Sequence, residues 1–301
     1  SRTALVPTWF LAIYTMIVLL APLTYAFWRR WGYKSLLVYI ALAAATDLAF
    51  FLLNWQWLGW TNYFWVWLAV HHLGFAWHEG RQGSPTTLIM LALFSFAALY
   101  VLIIYGPYPV AMAGSPGDAI SNTLPPKITL LALGLAQFGL LLALEKPMQV
   151  LLGKTAFWAA TIIINTMIMT IYLWHMTVLL GVMAASYFTG GIGLQMPVGS
   201  PDWWLSRPLW LLILLLPLIP VALTLSPLER ISRPEDAIAP SRWRLITGSV
   251  LCGVGIVMAT LLGFNGDPFS IVGSGAIVAL LLGAWLCGLT PAAYLRREST
   301  T

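Results

Sequence analysis

Ten carboxylates and four histidines supply most of the acid–base chemistry available to this 301-residue chain, and few of them fall inside its apolar runs. Asp47, His71, His72 and His175 do, in company with the polar residues Gln137, Asn165 and Tyr172. His78 lies one step past an apolar run, in a polar loop, and reads as solvated. An imidazole has an unperturbed pKa of about 6.5, so a positioned histidine can move protons near neutrality. A nearby carboxylate such as Asp47 would orient that imidazole or hold it charged. On a helical wheel of about 100° per residue, Tyr172 falls about −20° and His175 about −80° from Asn165, so amide, phenol and imidazole can share one face. Two roles for that face are open: lining of an active site, or hydrogen-bond glue between membrane helices. The adjacent His71 and His72 point about 100° apart, so at most one of them faces a given pocket squarely, and packing is the other role for either.

Several chemistries lack their motifs. The chain has no Gly-rich phosphate loop ending in Lys-Ser/Thr, no HExxH and no paired CxxC. Its two cysteines, Cys252 and Cys287, form no ligand-spaced cluster, so no metal site is expected. Two histidines from different helices, His71 or His72 with His175, could serve as axial haem ligands, although no feature singles out that use. No permanently bound cofactor is expected.

The elements that must position these side chains cross a membrane. The chain is 60% hydrophobic and 8% charged, with a mean hydropathy of +0.85, against roughly 25% charged residues in a soluble domain. So few charges cannot solvate a globule of this size, which excludes a soluble enzyme, and the apolar, aromatic composition excludes disorder. The expected fold is an all-α polytopic transmembrane helix bundle. A span needs about 20 predominantly apolar residues. Nine candidates run at about 9–28, 35–54, 61–77, 85–105, 127–145, 156–186, 207–226, 245–264 and 271–290. The third is short, and the sixth is long enough to be tilted, broken, or preceded by a surface segment near Met148–Lys154.

Orientation follows from the basic residues. One set of loops holds Arg29, Arg30, Lys34, Arg81, Lys146, Lys154, Arg230, Arg233, Arg242, Arg244, Arg296 and Arg297, and the opposite set holds only Arg2, Lys127 and Arg207. The richer side is expected to be cytoplasmic, which puts the C-terminus inside and Ser1 outside a plasma membrane. The basic excess thus obeys topology, and nucleic acid is not an expected partner. Trp9, Trp28, Trp57, Trp60, Trp203 and Trp204 lie near span ends, where headgroup anchoring is expected. Two outer loops, Gly106–Pro126 and Thr189–Ser206, read either as connectors or as a lid or acceptor-binding surface.

Four patches in order carry a resemblance. Asn165–Thr177 reads NTMIMTIYLWHMT and contains the YLWH run at Tyr172, Leu173, Trp174 and His175. Tyr63–Arg81 reads YFWVWLAVHHLGFAWHEGR, Ser121–Pro126 reads SNTLPP, and Pro7–Phe10 reads PTWF. Together they resemble the acyltransferase-3 family of integral-membrane O-acyltransferases, in its actinobacterial-type branch, over most of residues 5–190. The last three apolar runs resemble the family only in being apolar helices. At HHLG the branch usually has HQLG, so His72 stands where a Gln is usual.

The resemblance implies one transmembrane acyltransferase domain over 1–301, taking an acyl group from cytoplasmic acyl-CoA as co-substrate. The acceptor would be a hydroxyl on an envelope glycan, a lipid or an exported small molecule. It also implies an Arg followed about ten residues later by a catalytic His in the family's first helices, which nothing here matches. The chain is therefore expected to be N-terminally truncated, by an odd number of helices, and inactive alone. Within it, His71, His175 and Asp47 are the expected catalytic residues, supported by Asn165, Tyr172 and His72. Arg81, Arg29 and Arg30 are expected to hold the donor's phosphates, since Arg pairs bidentately with phosphate; the positive-inside rule alone would also place them there. The alternative function is a polytopic transporter or flippase, which would likewise bury polar groups at mid-membrane.

Overall fold

The computed structural model describes residues 9–112, 120–197, 200–226, 240–262 and 271–289. Arg2, Pro7, Thr8, Arg230, Arg233, Arg296, Arg297 and both termini, on which part of the expected orientation and resemblance rests, lie outside the described residues. Eleven α-helices are described, with no strand among the described residues. They are α1 (Trp9–Trp31), α2 (Tyr33–Leu52), α3 (Asn62–His78) and α4 (Pro85–Tyr105), then α5 (Ile128–Ala143), α6 (Glu145–Leu152) and α7 (Thr155–Asn165). The last four are α8 (Ile168–Phe188), α9 (Pro201–Leu225), α10 (Arg242–Leu262) and α11 (Ile271–Leu286).

Six helices, α1, α2, α4, α8, α9 and α10, are long and apolar enough to cross a bilayer. The pair α5–α6, bent by 55° at its break, makes a seventh if taken as one span. The protein is a multi-pass membrane protein, with six to seven of the nine expected spans meeting the length test among the described residues. The shortfall comes from three places. α3 has 17 residues, α11 has 16, and α5 has 16 and meets the test only together with α6; the expected span at 156–186 is divided into the short α7 and the span α8. α9 starts at Pro201 behind an N-cap in which Ser200 Oγ accepts the Trp203 amide at 3.2 Å, so the expected outer loop ends before Trp203. Ser84 caps α4 in the same way, accepting the Thr87 amide at 3.2 Å ahead of Pro85.

The chain divides into two compact units, Ile17–Lys154 and the remainder up to Met16 and from Thr155. In the first, Leu36, Tyr39 and Ala43 recur every three or four residues on α2, and Val66, Ala69 and Leu73 do so on α3. These stripes meet Leu131 of α5 in one buried core. Continued, the α2 stripe reaches Asp47 and the α3 stripe begins at Asn62. α4 lies closely on α5: a Cβ on Gly139 would stand 2.5 Å from the Leu88 carbonyl oxygen and 3.0 Å from the Ala92 nitrogen. Such small residues let membrane helices approach through their backbones. Between α1 and α2 the chain reverses at Gly32, whose φ of +53° suits glycine, and the Arg81 guanidinium comes within 3.3 Å of where a Cβ would be.

In the second unit α8 packs on α9 and α10 on α11. The α10–α11 contact is again backbone to backbone, with Gly248 facing Gly283 and Gly255 facing the Ala276 carbonyl. Cys252 and Cys287 sit in this seam as free thiols. Large apolar side chains such as Phe94 and Leu205 are exposed, as lipid-facing residues of a membrane bundle are.

Candidate functional site

Two polar clusters lie at opposite ends of the Ile17–Lys154 unit. The first stands at the basic end, where α1 finishes, α3 finishes and the Glu79–Ser84 loop begins. A cleft of about 460 Å³ opens there, lined by Tyr25, Arg29, His78, Glu79 and Arg81. Its organiser is Glu79. Trp28 Nε1 donates to Oε2 at 3.0 Å, Tyr25 Oη donates to Oε1 at 3.3 Å, and Arg81 Nη1 approaches Oε2 at 3.4 Å. The Trp28 hydrogen bond, helped by Arg81 and Tyr25, holds the Glu79 carboxyl below the usual carboxylate range against some desolvation. The Arg81 guanidinium also stands 5.2 Å above the Trp28 ring, and its backbone carbonyl accepts from Tyr33 Oη.

Of the residues expected to hold phosphate, Arg29 and Arg81 thus share one cleft, while Arg30 is absent from its lining. Successive residues on α1 point about 100° apart, so Arg29 and Arg30 do not face the same way. Trp28 departs from its expected place as a headgroup anchor: it is fully buried, because its indole N–H is spent on Glu79.

Beneath the cleft lies an aromatic floor that includes His71 and His72. Phe75 on α3 touches Tyr25, Trp28, His71 and His72, with ring centroids 5.1, 6.4, 4.7 and 5.3 Å away. His72 is fully buried against Tyr39 and Trp28. Its Nδ1 lies 3.0 Å from the Leu68 carbonyl. A carbonyl only accepts, so Nδ1 carries the proton and the lone pair is on Nε2, which is buried without a hydrogen-bond partner. His71 is half-buried, and its Nδ1 is buried with no partner.

The second cluster gathers around Asp47. Its Oδ1 accepts from Asn62 Nδ2 at 2.9 Å, and its Oδ2 accepts from Tyr108 Oη at 3.0 Å and from the Ile128 amide at 2.8 Å. The last donor is the first N–H of α5, where a helix presents unsatisfied amides and partial positive charge. Burial and the adjacent Asp47 charge push the Tyr108 hydroxyl well above the usual phenol range. Beside them Lys127 is fully buried, with Nζ 3.5 Å over the Phe50 ring and no hydrogen-bond partner. Asn122 ties the preceding segment down: its Nδ2 donates to the Pro109 and Ala111 carbonyls at 2.7 and 3.0 Å, and its Oδ1 accepts from Thr129 Oγ1 at 2.7 Å. The described parts of the Gly106–Pro126 loop are therefore folded onto the helix ends through Asp47 and Asn122.

Asp47 accordingly does not orient His71 or His72. Nine residues of α3 separate its partner Asn62 from His71, about 14 Å of helix rise, and none of its hydrogen bonds goes to an imidazole. The expected face shared by Asn165, Tyr172 and His175 also changes. α7 ends at Asn165, which is exposed, and α8 begins at Ile168, so the wheel does not run unbroken through all three. Tyr172 and His175 stay together on α8, with ring centroids 5.7 Å apart, and Phe10 packs on Tyr172 at 5.3 Å. His175 Nδ1 faces the Tyr172 carbonyl, which puts the lone pair on Nε2.

Sequence reasoning missed Glu79, Tyr25, Asn62, Tyr108, Asn122 and Lys127. Two of these carried a signal: Glu79 is the one acid of the short loop that carries Arg81, and Lys127 is a cation on the charge-poor side at the mouth of an apolar run. Among the described residues, no group of three or more His, Cys, Asp or Glu is placed to hold a metal ion.

Comparison with protein families gives a match to the acyltransferase-3 family, an acyltransferase domain, over residues 2–226. No curated protein and no solved structure gives a significant match. The family match extends beyond the residues 5–190 expected from the motif patches and takes in α9, which had looked like no more than an apolar helix; it stops short of α10 and α11. With most of its length covered, including both polar clusters and the Tyr172–His175 pair, the chain belongs to the acyltransferase-3 family and is a membrane acyltransferase.

Proposed function

We propose that the protein transfers an acyl group from cytoplasmic acyl-CoA to a hydroxyl of an envelope glycan, a lipid or an exported small molecule, in the plasma membrane with its basic end inside. The observation that carries this reading is the convergence of Arg29 and Arg81 on one cleft of about 460 Å³. Arg81 touches Glu79 only at 3.4 Å and keeps half of its side chain exposed, which leaves guanidinium surface open to the donor's phosphates. Arg30 takes no part. The proton-moving group favoured here is His175. Its Nδ1–H goes to the Tyr172 carbonyl, and Nε2 takes the acceptor hydroxyl's proton. The hydroxyl oxygen then bonds to the thioester carbonyl carbon, the C–S bond breaks, and the departing CoA thiolate recovers the proton. Tyr172 orients His175. His71 and His72 support the cleft floor, and Asp47 fastens the opposite end. Asn165, exposed beyond the helix break, has no role in this reading.

The test is equilibrium binding of CoA and dephospho-CoA to the full-length protein in lipid nanodiscs, with labelled acyl-CoA consumption measured alongside. Arg81→Gln and Arg29→Gln should each weaken CoA binding about tenfold, the loss of one charged hydrogen bond, and Arg30→Gln should leave it unchanged. Wild-type affinity in both the Arg81 and the Arg29 variants would remove the cleft from donor binding.

A further inference from the structure

The Ile17–Lys154 unit holds a second hollow, of about 440 Å³ and almost wholly apolar, walled by α2 and α4 over a floor of α3 and α5. Leu36, Ile40, Leu73, Leu131 and Leu135 are typical of its lining. It starts at Tyr33 and Gln82, at the basic end, and reaches Ile128, whose amide is held by Asp47. On α4 its lining runs from Leu91 to Leu102, eleven residues or about 16 Å, roughly half of a hydrocarbon core about 30 Å thick. Phe94, on its wall, is 74% exposed, so the groove opens sideways towards lipid.

Its mouth differs from its body. Tyr33 lines the groove and donates to the Arg81 carbonyl, and the Arg81 guanidinium stands 5.8 Å from the Tyr33 ring. The Oε1 atom of Gln82, also in the lining, is buried with no hydrogen-bond partner. A hydrocarbon slot thus ends beside one cation, Arg81, and an unused acceptor. A pantetheine arm, with its amide groups, would find few partners along these walls, whereas a fatty chain needs none.

We infer that this groove is a site for an anionic membrane phospholipid bearing headgroup hydroxyls. One acyl chain lies between α2 and α4, the phosphate pairs with Arg81, and a headgroup hydroxyl donates to Gln82 Oε1. Charge complementarity selects the lipid, and the apolar walls hold its chain.

The experiment uses the full-length protein in phosphatidylcholine vesicles doped with chain-spin-labelled phosphatidylglycerol or phosphatidylcholine, and reads the motionally restricted fraction by electron spin resonance. The wild type should retain phosphatidylglycerol over phosphatidylcholine by about fivefold, the fold-change for one Lys or Arg contact at an anionic surface. Ala98→Trp, filling the groove, should abolish the preferential retention; Arg81→Gln, at the surface, should keep chain immobilisation but remove the preference. Equal retention of the two lipids by the wild type, or an unaltered preference in Ala98→Trp, overturns the site. Long-chain acyl-CoA displacing the label where phosphatidylglycerol does not would assign the groove to the donor's chain instead, and overturns it as well.

Discussion

Asp47→Ala probes what the buried carboxylate contributes to the Ile17–Lys154 unit. The side chain receives three donors at 2.9, 3.0 and 2.8 Å, from Asn62, Tyr108 and the Ile128 amide. Hydrogen bonds to a charged group contribute about 1.5–3 kcal/mol each, but donors sharing one carboxylate are coupled and their values do not add. Lys127 adds to the cost: it is fully buried, has no hydrogen-bond partner, and has Asp47 as its neighbouring opposite charge. The loss should therefore reach at least that of one charged hydrogen bond, about 1.5–3 kcal/mol, or about tenfold or more in the unfolding equilibrium. Adding Lys127→Met to Asp47→Ala removes the stranded ammonium while keeping the packing on Phe50, so the double variant should be more stable than Asp47→Ala alone. Reversible unfolding in mixed micelles with rising dodecyl sulfate, followed by tryptophan fluorescence, measures both. A loss below about 1 kcal/mol for Asp47→Ala, or no recovery in the double variant, would refute the assignment of Asp47 as a clamp.

Three further outcomes follow. Gly139→Ala should cost about 1–3 kcal/mol by forcing α4 off α5, since its Cβ would meet the backbone of Leu88 and Ala92, whereas Gly134→Ala, which meets only a Val70 methyl, should be nearly neutral in the same unfolding assay. Glu79 titrates below its unfolded value of about 4.3, so its hold on Trp28 is intact above that pH and fades as pH falls through the folded pKa. Hydrogen-exchange protection of Gly80–Gln82 should therefore drop in acid, and Glu79→Gln should show no such acid limb. His175→Ala in the full-length protein should abolish product acylation while leaving membrane insertion intact; full retained activity would take His175 out of the chemistry.

What the sequence discloses here is depth along the membrane normal, and what it withholds is direction around each helix. Hydropathy places the helices, and the distribution of Lys and Arg puts Arg29, Arg30, Lys34 and Arg81 at one end. Which of Arg29 and Arg30 enters the cleft depends on a 100° rotation that only packing decides. Asp47 is legible as a carboxylate where lipid should be, yet its three partners stand 15, 61 and 81 residues away. Trp28 has the composition of a headgroup anchor but is buried by a glutamate 51 residues distant. The length of the 156–186 run allows a break, but nothing marks its place: Thr166 and Met167 include neither Pro nor Gly, so a wheel drawn from Asn165 continues through it. An ionisable group at membrane depth must be satisfied somehow, and the same cost that makes it conspicuous is met equally well by structure or by substrate. The distinction lies in what is left over once partners are counted. Asp47 carries three hydrogen bonds with a cation beside them, which marks a fastening. Arg81 keeps half of its side chain exposed beside Glu79, and that open guanidinium surface is what the proposed donor site rests on.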